Sequence, residues 1–213
     1  MSEKPWKIDN KNLTITLDSR KFKHTYYAPN EEIFAAKLAK LETPAKLVKL
    51  HLGCGNEHLD GYINIDVQPS KFTDEVSDCT KLSNYADNSV DEIVSYHMIE
   101  HIAALQQKVV LEEWKRVLKP KGKLVLECPD AWQVFKTFVE TTDHERYVTW
   151  NQGPALIYHI YGNQGDEFEF HKFCYTTSLI KTMLESLGFQ NVYFGESHKD
   201  YRVPCIHVEC TKP

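Results

Sequence analysis

The chain has 213 residues, which at the roughly 150 residues of a typical domain leaves room for one full domain with an added arm and excludes two large ones. With 42% hydrophobic, 26% charged and 12% aromatic residues the composition is that of a globular protein, not a disordered or collagen-like one. A formal net charge of −5 and a pI near 6.1 exclude a general attraction to nucleic acid phosphates or anionic membranes.

Taken in chain order, residues 1–28 mix lysines and aromatics with an alternating apolar stretch at Leu13, Ile15 and Leu17. Asn30 followed by Glu31 and Glu32 predicts a helix through Glu42, ended by Pro44. The run 46–52 reads as a strand that stops at Gly53-Cys54-Gly55, and Tyr62 to Val67 as a second that ends at Asp66. A short third strand at Glu75-Val76-Ser77 ends at Asp78-Cys79. Val90 to Tyr96 is a fourth, followed by a helix-like tract from His97. Apolar residues recur with helical spacing from Leu105 to Leu118, and Lys119-Pro-Lys-Gly122 ends that helix. Lys123 to Cys128 reads as a buried strand and Thr177 to Leu187 as a helix with Gly188 at its end. Strands at 191–195 and 205–210 close the chain. Alternation of strands and helices predicts an α/β domain with a mainly parallel sheet, whose ligand site lies at the carboxyl ends of the strands.

Three of those ends carry Gly53, Cys54 and Gly55, then Asp66, then Asp78 with Cys79. Glycines let backbone approach a ligand closely, an acid after the second strand accepts bonds from ribose hydroxyls, and an acid after the third takes an exocyclic amine. Together they describe an adenosine pocket. Six cysteines without C-x-x-C spacing read as free thiols of a reducing cytoplasm. No apolar run approaches the ~20 residues of a membrane span.

On these residues, with Leu50-His-Leu-Gly-Cys-Gly55, Gly61-Tyr-Ile-Asn-Ile-Asp66, the tract from Val90 to His101 and Val117-Leu-Lys-Pro-Lys-Gly-Lys-Leu-Val-Leu126, the sequence resembles the class I S-adenosylmethionine-dependent methyltransferases, in particular small bacterial members. The resemblance implies a Rossmann-like α/β fold: a seven-stranded, mostly parallel sheet in the order 3-2-1-4-5-7-6, with the last strand antiparallel and helices on both faces. It implies S-adenosylmethionine as cofactor. The glycine loop would pass its methionine part, Asp66 hold its ribose, and Asp78 with Cys79 its adenine, while Tyr96 and His97 line it from the end of the fourth strand. One departure is visible. Asp66 follows Gly55 by only 11 residues, where roughly twenty is usual, so the first helix is reduced to about a turn. A dinucleotide fold needs that helix to neutralise a pyrophosphate, and S-adenosylmethionine has none.

His97-Met-Ile-Glu-His101 also matches H-x-x-E-H, in which two histidines one helical turn apart bind zinc and the Glu serves as base. A zinc hydrolase is therefore a rival reading, as are a nucleic acid methyltransferase and a non-catalytic S-adenosylmethionine-binding protein. The Asn-Pro-Pro-aromatic signature of base amino methylation is absent, since Ser95-Tyr96-His97 stands there, and we assign no metal. If the acceptor is a hydroxyl, the candidate bases are His97, His101, Asp130 and His171, with capping of the next helix as the other explanation of Asp130. Residues 131–175, rich in aromatics such as Trp132, Trp150, Tyr158, Tyr161 and Phe173, are expected to form a lid over a small polar acceptor. Tyr161-Gly162 and His171-Lys172-Phe173 resemble members thought to act on sugars. The expected organisation is an arm and helix at 1–45 and a cytoplasmic methyltransferase domain at 46–213, with no membrane partner, nucleic acid disfavoured, and homo-oligomerisation compatible. The basic residues of the arm, including Lys4, Arg20 and Lys21, read as a solvated surface.

Overall fold

The computed structural model describes residues 6–18, 23–42, 47–142, 156–199 and 204–213. Lys4, Arg20, Lys21, Pro44 and Trp150 lie outside them. The chain divides into two compact units, Met1–Lys46 and Leu47–Pro213.

The first unit is a meander followed by a helix: β1 (Trp6–Asp9), β2 (Thr14–Asp18) and β3 (Lys23–Tyr27) pair antiparallel in sequence order, and α1 spans Glu31–Glu42. Asp9 makes the first turn, its Oδ1 accepting from the backbone N–H groups of Lys11 at 3.0 Å and Asn12 at 3.1 Å. Asn30 starts α1 by accepting from Ile33 N–H at 2.9 Å. Apolar and polar residues alternate in β1 at Trp6 and Ile8 as they do in β2 at Ile15 and Leu17, and only the second of these runs was singled out in the sequence.

In the second unit the strands are β4 (Lys49–Leu52), β5 (Ile63–Asp66), β6 (Glu75–Val76), β7 (Val90–Tyr96), β8 (Leu118–Pro129), β9 (Gln190–Gly195) and β10 (Cys205–Thr211). They form one sheet in the order β6-β5-β4-β7-β8-β10-β9. Pairs from β6 to β8 are parallel, and β10 runs antiparallel to both its neighbours. Counted within this unit, that is 3-2-1-4-5-7-6, the implied order. The helices are α2 (Gln107–Val117), α3 (Ala131–Glu140), α4 (Leu156–Tyr161) and α5 (Thr177–Ser186).

Period-2 alternation makes the two faces of the sheet different. Leu50, Leu52, Ile65, Ile93, Leu124, Leu126, Ile206 and Val208 are buried in one core with Leu111 and Trp114 of α2 and Ile180 and Leu184 of α5. The helical spacing of the α2 residues is what places them there. Intervening positions carry buried polar groups, His51, Asn64, Glu127 and His207, each with hydrogen-bond partners, as burial requires.

Two local expectations are corrected. The tract from His97 is not a helix: His97 has φ +53°, and only single 3-10 turns at Ile99–His101 and Ala104–Gln106 precede α2. Between β4 and β5 there is no helix at all, only turns, with Glu57 N–H donating to Cys54 O at 2.8 Å. Lys119–Gly122 does end α2, but within the run of β8. There the pairing with β7 jumps from Val90↔Leu118 to Glu92↔Lys123, so the turn residues are accommodated as an irregularity in the strand.

Candidate active site

The first three strand ends form a contiguous edge because β6, β5 and β4 are neighbours. Gly53 sits at φ +69°, and a Cβ there would stand 2.2 Å from Met98 Cγ, so only glycine lets Met98 pack against the turn. Gly55, at φ +49°, has nothing within 4 Å of where its Cβ would be, leaving that side open to a ligand. Asp66 Oδ2 accepts from Gly55 N–H at 2.8 Å and Oδ1 from Gln68 N–H at 2.9 Å. The acid thus fixes the glycine loop while each oxygen keeps accepting capacity. Asp78 Oδ1 accepts from Thr80 N–H at 2.9 Å and Thr80 Oγ1 at 2.6 Å. Cys54 and Cys79 are buried. Burial pushes both thiols up, Cys79 to about 12, as expected of packing groups, not of nucleophiles. Cys79 O accepts from Trp114 Nε1 at 2.8 Å, tying this end of the sheet to α2.

The fourth and fifth strand ends meet the segment around 159–175. Glu100 is buried, and its carbonyl accepts from Lys172 N–H at 2.8 Å and Phe173 N–H at 3.1 Å. That pairing brings His171 beside the 3-10 turn, where its ring meets that of His101 edge-on with centroids 4.8 Å apart. His101 Nδ1 lies 3.1 Å from Phe170 O, and His171 Nδ1 lies 3.0 Å from His159 O. In the neutral rings Nδ1–H therefore donates to a carbonyl and Nε2 bears the lone pair. Gly162, at φ +82°, pairs with Phe170, and a Cβ on it would stand 1.9 Å from Glu169 O. Tyr161-Gly162 and His171-Lys172-Phe173, separate in the sequence, are thus adjacent. A small cavity of about 10 Å³, the room of one water, is lined here by Glu100, Pro129, Val134, Phe135, His159, His171 and Phe173. Burial lowers His159 to about 4.

The candidate bases fare differently. Burial alone would lower His97, but the Cys205 sulfur 3.6 Å from Nε2 and the Glu100 carboxylate 3.3 Å from Nδ1 outweigh it and raise the imidazole to about 10. Asp130 caps α3, its Oδ1 accepting from the N–H groups of Trp132 and Gln133. His101 and His171 stand together. The H-x-x-E-H reading as a helical zinc motif is overturned, because the ligand-type atoms that cluster are those of Glu100, His101 and His171, with His97 outside the group.

A second polar cluster, on the other face of the sheet, escaped the sequence reading. Glu127 is fully buried and accepts from His198 N–H at 3.1 Å, with His198 Nδ1 at 3.1 Å and His207 Nδ1 at 2.7 Å. His198 stacks on Tyr96 at 3.7 Å and reaches Glu57 beside the glycine loop at 3.4 Å. Tyr96 thus belongs to this cluster. A glutamate inside the apolar run 124–128 was the available signal. Across the carboxyl edge, Gln68 Nε2 donates to Asp166 Oδ2 at 2.9 Å, joining the loop after β5 to the segment after α4.

Residues 50–126 match the profile of a methyltransferase domain family. No curated protein sequence matches the chain. Among solved structures, an S-adenosylmethionine-dependent methyltransferase from Archaeoglobus fulgidus superposes with a TM-score of 0.52 at 16% identity, covering 86% of this chain and 95% of that one. A Bordetella parapertussis structure described as a possible exported protein superposes with a TM-score of 0.52 at 16% identity, covering 88% of this chain and 74% of that one. The structures carry the fold, that of S-adenosylmethionine-dependent methyltransferases, and the matched profile of a methyltransferase domain spans the glycine loop, Asp66, Asp78 and the β7 end.

Proposed function

We propose that the chain is a class I S-adenosylmethionine-dependent methyltransferase that methylates a hydroxyl of a sugar or related small polar metabolite, with the described parts of the 131–175 segment, residues 131–142 and 156–175, over the acceptor and the methyltransferase domain beginning near residue 46. The carrying observation is the grouping of side chains at the β7 and β8 ends, around a cavity that is itself only about 10 Å³, the room of one water. It combines Glu100, His159 and His171 with apolar walls, beside exposed aromatic side chains at Trp132, Tyr158, Tyr161, Phe168 and Phe170. Aromatic surfaces beside a few convergent polar groups suit a ring with polar edges and apolar faces.

The residues at the first three strand ends fit the cofactor. Open space at Gly55 would admit its methionine part, while Asp66 would accept from its ribose hydroxyls and Asp78 from its adenine amine. When bound, S-adenosylmethionine supplies a methyl on a sulfonium that departs as a neutral thioether, taking the electron pair of the broken S–C bond. The chain's part is alignment and handling of the proton lost as the new O–C bond forms. Protonated His97 is unsuited to receive that proton and Asp130 is occupied as a cap. Activation of the hydroxyl falls to His101 and His171, whose Nε2 atoms carry lone pairs. The net charge of −5 sets nucleic acid acceptors behind small ones.

Transfer of a labelled methyl from S-adenosylmethionine to a panel of free and nucleotide-linked sugars, amines, tRNA and bulk protein tests this. Alkali-stable label on a sugar oxygen is expected. Label confined to tRNA, protein or amines would overturn the proposal.

A further inference from the structure

The side chains of Glu100, His101 and His171 make a group of a different kind from the donor-side acids. One ligand-type atom from each lies within 4.8 Å of the others, with Glu100 Oε1 4.0 Å from His171 Nε2. Both histidines give Nδ1 to a backbone carbonyl, of Phe170 and of His159. That is how metal-binding imidazoles are oriented, with the outer bond fixing the ring and aiming the Nε2 lone pair inward.

Independently of that geometry, the Glu100 side chain is almost wholly buried, and among the described residues neither carboxylate oxygen accepts a hydrogen bond. His97 Nδ1 stands 3.3 Å from Oε1 as an ion-pair partner; Oε2 has none. A buried carboxylate with an unanswered oxygen is costly unless a further positive charge meets it. The backbone bonds from residues 172 and 173 to Glu100 O hold the His171 segment against the glutamate.

We infer that Glu100, His101 and His171 bind a divalent cation of the zinc class through one carboxylate oxygen and two Nε2 atoms. Two imidazoles and one carboxylate are a ligand set such cations take, leaving a coordination position open. Ligand atoms about 2.1 Å from a tetrahedral zinc lie roughly 3.4 Å apart, so side-chain rotations of the order of 1 Å close the site. Glu100 and His171 also line the acceptor cavity, so the open position faces it. A hydroxyl bound there would release its proton more readily, as metal-bound water does, with the proton passing to solvent water; with both Nε2 atoms on the cation, the metal would replace the two imidazoles as the activating group. That last role rests on the acceptor reading above; the binding site does not.

The test uses the full chain after chelator treatment, with zinc chloride and cobalt chloride as probes. We expect one cation per chain by calorimetry and a visible cobalt spectrum. Affinity should fall at least tenfold in Glu100→Gln, His101→Ala and His171→Ala and stay unchanged in His58→Ala, which lies in the chain between β4 and β5 with its ring Nδ1 3.2 Å from Phe72 O. Since a substitution at buried Glu100 risks the fold, side-chain nitrogen NMR of the unsubstituted chain is the second measurement: zinc should shift Nε2 of His101 and His171 and leave their Nδ1 protonated. Failure to bind either ion, equal affinity in His101→Ala and His171→Ala, or shifts confined to other histidines would overturn the site. Binding that leaves methyl transfer unchanged would overturn only its role toward the acceptor.

Discussion

The two halves of the carboxyl edge are built at different ranges along the chain. On the donor side, Asp66 closes on Gly55 11 residues away and Asp78 on Thr80 two residues away. On the acceptor side, His101 bonds to a carbonyl 69 positions on, and His97 faces a sulfur 108 positions on. A half assembled from near neighbours is a motif and is preformed by its own turns. A half assembled from distant segments exists only when all of them are packed, so the acceptor side should fail first and alone.

Gly162→Ala makes the largest test of that difference. The added Cβ meets the Glu169 carbonyl at a φ that alanine rarely adopts, which should destabilise the acceptor segment by roughly 2–4 kcal/mol. Limited proteolysis should cut within 156–175 while S-adenosylhomocysteine still binds; equal loss of donor binding would mean that the halves are one cooperative unit. Asp130→Ala comes next. Loss of the α3 cap should cost about 1 kcal/mol, read as a lower denaturation midpoint, with kcat within roughly threefold of wild type. A fall in kcat of ~100-fold at equal stability would restore Asp130 as a base.

A third effect is pH dependence. His159, lowered by burial to about 4, gains a proton on unfolding between pH 4 and its usual 6.5, so its contribution to stability grows as pH rises through that window. Burial lowers His51 in the same direction. His97, raised to about 10, contributes stability that is full below 6.5 and lost as pH rises toward 10. With chelator present, the melting temperature should therefore peak near neutrality; a flat profile from pH 5 to 9 would contradict these environments. The smallest effect is expected of Gln68→Ala. Its exposed bond to Asp166 should be worth about 0.5–1 kcal/mol, seen as faster proteolysis of the 156–175 segment with donor affinity within about twofold.

The same contrast explains what could be read in advance. The strand order, the strand-end acids and the glycine turn follow from local patterns, and the 11-residue spacing from Gly55 to Asp66 signalled a first helix cut to about a turn, which the structure replaces by turns alone. His97 misled because H-x-x-E-H presumes a continuous helix, whereas the chain leaves β7 through a left-handed residue and a 3-10 turn. The pairing of His101 with His171 depends on 171–173 docking on Glu100 O, which no local spacing encodes. Glu127 was visible as a charge inside an apolar strand, but its partners His198 and His207 come from the far end of the chain.

Calorimetric titration of S-adenosylhomocysteine into the wild-type chain and into Asp66→Ala, with folding checked by circular dichroism, tests the central claim most directly. The account predicts one site per wild-type chain and at least tenfold weaker binding once the carboxylate is removed, a loss of roughly 1.4 kcal/mol or more. No binding to the wild type, or equal affinity in the folded variant, would contradict it.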